Sequence, residues 1–160
     1  MKEFVWFSKD WKADLTWGLV FGVAFIILNM LSPSITIGFP TLPQATEGER
    51  AVIVGVLAPV GEELLFRGFV LNAALMIIPS AIIMVPAQAV IFAIFHSAAY
   101  AGSFSLQSVA SVSGALIGAG VFGVVAGFLI LWRKSLLTPM IVHSMFNLYL
   151  VGKYLVVVSL

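Results

Sequence analysis

The chain has 160 residues, of which 61% are hydrophobic and 9% charged, and its mean hydropathy is +1.13. Soluble domains carry about 25% charged residues, so the composition excludes an ordinary soluble domain and marks a polytopic membrane protein. A net charge of +1 without a basic patch excludes nucleic acid as a partner, and the lack of cysteine excludes disulfides, thiolate metal sites and a cysteine nucleophile.

Apolar runs follow in order at Leu15–Leu31, Ala51–Ile78, Ala81–Ala99, Ser108–Leu131 and Leu136–Val158. They predict an all-α fold: a polytopic transmembrane helical bundle of about five spans. The runs form one domain over 1–160, with a motif-bearing core at about 51–158. Lys2, Lys9 and Lys12 precede the first run, as in a signal peptide. No small-x-small cleavage site follows, and the run reads as a true span. Pro33, Pro40, Pro43, Glu47, Glu49 and Arg50 mark the most polar loop, Pro79 a tight turn, and "WRKS" a short cationic turn.

With the N-terminus in the cytoplasm, Lys2, Lys9, Lys12, Arg133 and Lys134 all lie inside. Arg50 then falls outside, and Lys153 snorkels from the outer end of the last span. Trp6, Trp11, Trp17 and Trp132 fit an interfacial aromatic belt. Gly18 with Gly22, Gly114 with Gly118 and Gly123 with Gly127 are at small-xxx-small spacing. Such faces let helix backbones approach closely, and internal packing is favoured here over a homodimer interface. The oligomeric state stays open.

Against this background "APVGEELLFRGF" places three ionised groups inside an apolar run. Each would cost roughly 2.5–3.5 kcal/mol near a bilayer centre, so such groups face a protein interior or a wet cavity and find partners. Glu63 and Arg67 are spaced i, i+4 and form a pair, whereas Glu62 is turned about 100° away and is left to meet something else. His96, with Phe92 and Gln88 on its face, and His143, with Asn147 on its face, lie in two other spans. Convergence of these groups on one site is the economical way to satisfy them.

A carboxylate with a neutral imidazole can deprotonate water, and a second imidazole with an amide can hold an oxyanion. The same Glu62, His96 and His143 also make a ligand set of the kind found at catalytic zinc. Either route leads to hydrolysis. No HExxH, GxSxG or membrane aspartate pair is present.

The order EExxxR, FxxxH, HxxxN, carried by Glu62, Glu63, Arg67, Phe92, His96, His143 and Asn147, resembles the CPBP family of intramembrane proteases. That family embraces CAAX prenyl endopeptidases and the bacterial bacteriocin-processing or self-immunity (Abi) proteins. "LFRGF" and "SLLTPMIVHSMFN" are similar to the family's local contexts, and the likeness runs from about Leu57 to Leu150.

The resemblance implies an intramembrane endopeptidase acting on membrane-associated peptides or proteins, prenylated ones among the candidates. Glu62 and His96 would activate water, and His143 and Asn147 would stabilise the oxyanion. Glu63 and Arg67, with Phe92, would support the site or position substrate. A divalent metal such as zinc, where one is bound, would sit on Glu62, His96 and His143. The setting implied is a prokaryotic plasma membrane with a cytoplasmic N-terminus. A non-catalytic immunity or partner-binding protein of the same fold is the alternative.

Overall fold

The computed structural model describes residues 6–31, 46–101 and 113–158, apart from the side chains of 98–101 and 154–158. These residues form helices α1 (Trp11–Leu31), α2 (47–77), α3 (Ala81–Ala101), α4 (Ser113–Arg133) and α5 (Leu137–Val158), with no strand among them. The loop prolines Pro33, Pro40 and Pro43, and the start of the predicted fourth span at 108–112, lie outside the described residues. By length and apolarity two helices qualify to cross a membrane, α1 and α4, with mean hydropathies of 1.8 and 2.3; α3 adds a shorter apolar stretch at Ala81–Ser97.

α2 is one rod in five stretches. Glu47–Val52, Ala58–Glu63 and Leu71–Ile77 are α-helical, while Ile53–Leu57 and Leu64–Val70 are π-helical. Helical dihedrals at every joint keep the rod continuous. It opens on a capping box in which Thr46 Oγ1 accepts from the Glu49 N–H and Glu49 reaches back to the Thr46 N–H.

The first π stretch has a covalent cause. The Ala58 N–H bonds five residues back, to Ile53 O. In that register Val54 O should receive Pro59, which has no N–H to give. The orphaned carbonyl is filled from outside the helix: Asn147 Nδ2 on α5 donates to Val54 O at 3.0 Å. α2 ends where Ile78 turns extended (φ −125°, ψ 102°), as the residue before a proline does.

One end of the bundle is tied by polar contacts. Asp14 is fully buried and accepts from Arg133 Nε at 2.9 Å and Ser8 Oγ at 2.5 Å. Thr138 Oγ1 donates to Asp14 O at 3.2 Å, and the Leu136 N–H to Trp6 O at 3.0 Å. The start of α1 and the α4–α5 turn therefore share one end, together with Lys9, Lys12 and Lys134. Lys134 makes that turn tight by taking a left-handed backbone (φ 54°).

The helices pack as two pairs, α3 on α4 and α1 on α5, with α2 touching both. Small residues set the spacing, as glycine pairs do in membrane helices. A Cβ on Gly123 would come within 2.8 Å of Ala89 Cβ, and one on Gly127 within 2.7 Å of Val85 Cγ1. A Cβ on Gly18 would likewise meet Ile141 at 2.7 Å. Gly18, Gly22, Gly123 and Gly127 thus serve packing within the chain.

Two substitutions test this. Gly123→Val forces a branched side chain against the backbone of Ala89 and should lower stability by roughly 1–3 kcal/mol, read as a lower unfolding midpoint in detergent. Asn147→Leu leaves Val54 O without its donor and should cost about 1–3 kcal/mol. An unchanged midpoint for Asn147→Leu would mean that the carbonyl is satisfied another way.

Candidate active site

Glu62 and Glu63 sit between the two π stretches of α2, at the centre of the rod. π segments are rare and often mark functional sites, because the extra residue per turn re-aims the side chains that follow. Here adjacent carboxylates reach different neighbours. Glu63 is fully buried, and its Oε1 accepts from Arg67 Nη1 at 3.1 Å and from His143 Nδ1 at 2.9 Å. Glu62 keeps 23% of its side chain exposed, and its Oε2 faces His96 Nε2 at 3.4 Å and His143 Nε2 at 3.7 Å.

Both imidazoles are oriented by their other nitrogen. His96 Nδ1 lies 2.8 Å from Phe92 O, and a carbonyl only accepts, so that nitrogen carries the proton. His143 Nδ1 donates in the same way to the Glu63 carboxylate. In the neutral rings both Nε2 lone pairs therefore point towards Glu62 Oε2, itself an acceptor. That oxygen is buried without a hydrogen-bond partner among the described residues. Three acceptors converging on one point call for a species that brings protons or positive charge; a water molecule or an added proton meets the need.

The donor types suit a divalent cation as well, and a carboxylate behind one histidine is a common support for a metal ligand. The set as placed does not fit one. Among the described residues, no group of three or more His, Cys, Asp and Glu side chains is spaced to hold a metal ion.

Arg67 is fully buried, with its guanidinium carbon 4.2 Å from the Phe92 ring centroid and 5.4 Å from that of Phe122. The aromatic faces stabilise a cation whose Nε and Nη2 have no hydrogen-bond partner among the described residues. Phe92 also stacks beside His96, with centroids 4.3 Å apart, and Phe122 beside His143, at 4.4 Å. These rings form part of the core with Phe66, Ala126 and Val142.

Of the residues singled out in the sequence, the structure brings together Glu62, Glu63, Arg67, Phe92, His96 and His143. Asn147 is one turn from His143, but its amide is engaged by Val54, two turns along α2 from Glu62. The expected Glu63–Arg67 pair is a triad, since His143 shares the same oxygen. Phe122 carries no signal in the sequence, because nothing in "GVFGVV" separates it from an ordinary packing residue. Gln88 is buried on the His96 helix, and both of its amide atoms lack partners among the described residues.

A family model described as Type II CAAX prenyl endopeptidase Rce1-like matches residues 49–149. Comparison with curated proteins and with solved structures gave no match. The matched stretch holds both glutamates, the arginine, both histidines and Asn147, and it takes up more than half of the chain. The family and the two long apolar helices mark a membrane protein. On that match the chain belongs to the Rce1-like family of type II CAAX prenyl endopeptidases, and so to the CAAX type of intramembrane protease.

Proposed function

We propose that this protein is an intramembrane endopeptidase whose five described helices all traverse the bilayer, and that it hydrolyses peptide bonds of membrane-associated substrates, prenylated ones included, with a water activated by Glu62. The observation that carries the reading is the approach of one unpartnered carboxylate oxygen, Glu62 Oε2, to His96 Nε2 at 3.4 Å and His143 Nε2 at 3.7 Å. Glu63 Oε2 also lacks a partner among the described residues, but only Glu62 brings such an oxygen up to the Nε2 atoms of both histidines.

In this mechanism the water lies against Glu62 Oε2 and His96 Nε2; Glu62 takes one of its protons as the oxygen attacks the scissile carbonyl carbon, and His96 Nε2 accepts a hydrogen bond from the other. When His143 takes up a second proton from solvent as substrate binds, it donates Nδ1–H to Glu63 and Nε2–H to the oxyanion of the tetrahedral intermediate. On collapse the C–N bond breaks and the proton held by Glu62 passes to the leaving amine. Glu63 and Arg67 hold the imidazole, and Phe92 and Phe122 exclude water behind it.

Asn147 acts at a distance here: its bond to Val54 sets the rotation of α5 that aims His143. The oxyanion role implied for it by family resemblance passes to His143.

The orientation we propose puts the N-terminus in the cytoplasm. Lys9, Lys12, Arg133 and Lys134 lie at the end where Arg133 meets Asp14, and the more basic end of a span faces inward.

The test uses purified protein in detergent and a panel of internally quenched peptides, farnesylated and plain, with wild type beside Glu62→Gln. Glu62→Gln should lose about 10²–10⁴-fold in kcat, the range of general-base catalysis, while the unfolding midpoint is retained. Chelator should leave the wild-type rate unchanged. Loss of activity on chelation and its return with zinc would replace the water-and-carboxylate route by a zinc site. Equal turnover in wild type and Glu62→Gln would remove Glu62 as the base. No turnover of any peptide, with a cellular phenotype indifferent to Glu62→Gln, would favour a non-catalytic immunity protein.

A further inference from the structure

Glycine inside a helix is less stable than alanine, so each helical glycine asks for a compensating contact. Gly18, Gly22, Gly55, Gly68, Gly123 and Gly127 supply one, since a Cβ on any of them would press on a neighbouring side chain. Gly48 and Gly152 are open, but each lies within about two turns of its helix's end, where the cost is small. Gly120, inside α4, is half-buried, and a Cβ on it would make ordinary contact with Ala93 at 3.8 Å. Gly61 differs: it sits at the centre of α2, it is exposed, and a Cβ built on it meets nothing within 4 Å among the described residues.

Nothing in the described fold thus accounts for a glycine there. Its position in the chain does: it immediately precedes Glu62, and the apolar side chains a turn away on either side stand out from the helix, Leu57 being 59% and Leu65 46% exposed. The backbone at Gly61 is the floor of a notch between two apolar shoulders, one residue before Glu62.

We infer that Gly61 determines substrate fit: the main chain of the scissile peptide lies across it, at a distance that only a missing side chain permits. The inference rests on the protease reading above. A peptide bond attacked by water on Glu62 must bring its carbonyl carbon within about 3–3.5 Å of that water. An extended strand can come that close to a helix only where no Cβ intervenes, as glycine allows where a backbone nears a ligand. Substrate chemistry follows from the same geometry. The segment presented is unwound, and the bond cleaved is flanked by a residue small enough to enter between Leu57 and Leu65.

The experiment compares wild type, Gly61→Ala and Gly61→Leu with one farnesylated, internally quenched peptide in detergent, following kcat, KM and the unfolding midpoint. Gly61→Ala should raise the midpoint by about 2–4 °C, because it gains helix propensity in open space. It should lower kcat/KM about tenfold, and Gly61→Leu about a hundredfold, as small misplacements of a bound substrate do. Greater stability with lower activity is a combination that a packing role would not produce. Wild-type turnover in Gly61→Leu would overturn the inference alone and leave the protease reading standing. A lower midpoint for Gly61→Ala would overturn it too, by showing that a second copy or another neighbour packs there. A wild type that cleaves no peptide would sink the protease reading, and this inference with it.

Discussion

A single carboxylate oxygen, Glu63 Oε1, accepts from Arg67 on its own helix and from His143 on α5. Each buried ion would cost several kcal/mol if it stood alone, so neither helix can rotate without leaving a buried charge unpaired. The constraint spreads further, because the guanidinium lies over Phe92 of α3 and near Phe122 of α4. One buried ion pair thus sets the register of α2 against three other helices. The same contacts present two imidazoles to the place where chemistry can occur.

A buried backbone carbonyl that loses its helical donor must find another partner. Pro59 removes such a donor in α2, and the π register beside it leaves Val54 O unserved. Asn147 serves it from α5. The repair has a positional consequence. It pins α5 one turn beyond His143, and the Glu63 bond pins His143 itself, so two points fix the rotation of the helix about its axis. Close glycine contacts between α3 and α4, and between α1 and α5, then hold the pairs at short distance. The site lies where those pairs meet the central rod.

Much of this is legible in the order of residues alone. Charges in a chain so poor in them stand out, and the i, i+4 spacing of Glu63 and Arg67 requires only helical geometry. The number of helices and the convergence of Glu62, His96 and His143 follow from hydropathy and from the cost of buried polar groups. What stays hidden depends on distance in three dimensions. His143 bonding to Glu63 as well as facing Glu62 cannot be read from spacing across 80 residues. Asp14 reads as a diluting charge near the N-terminus, yet it is the buried partner of Arg133, 119 residues away. Asn147 reads as a group of the site because it shares a face with His143, and the bond its amide gives to Val54 O beside Pro59 has no counterpart in the residue pattern. The π stretches are equally invisible, since no residue pattern distinguishes i→i+5 from i→i+4 bonding until the donors and acceptors are placed.

Glu62 and Glu63 show how a helix can give one residue type two fates. They are adjacent and chemically identical, and a turn of about 100° separates them. Glu63 faces inward to a cation and an imidazole N–H, and its charge is consumed in holding structure. Glu62 faces two imidazole lone pairs and the partly open side of the rod, where its acceptor oxygen meets no donor among the described residues. An acceptor oxygen left without a donor and facing the Nε2 atoms of two histidines costs stability. Such a cost is retained where an incoming molecule supplies the missing donor. A hydrolytic water is the smallest molecule that meets that demand, and the peptide beside it makes the demand productive.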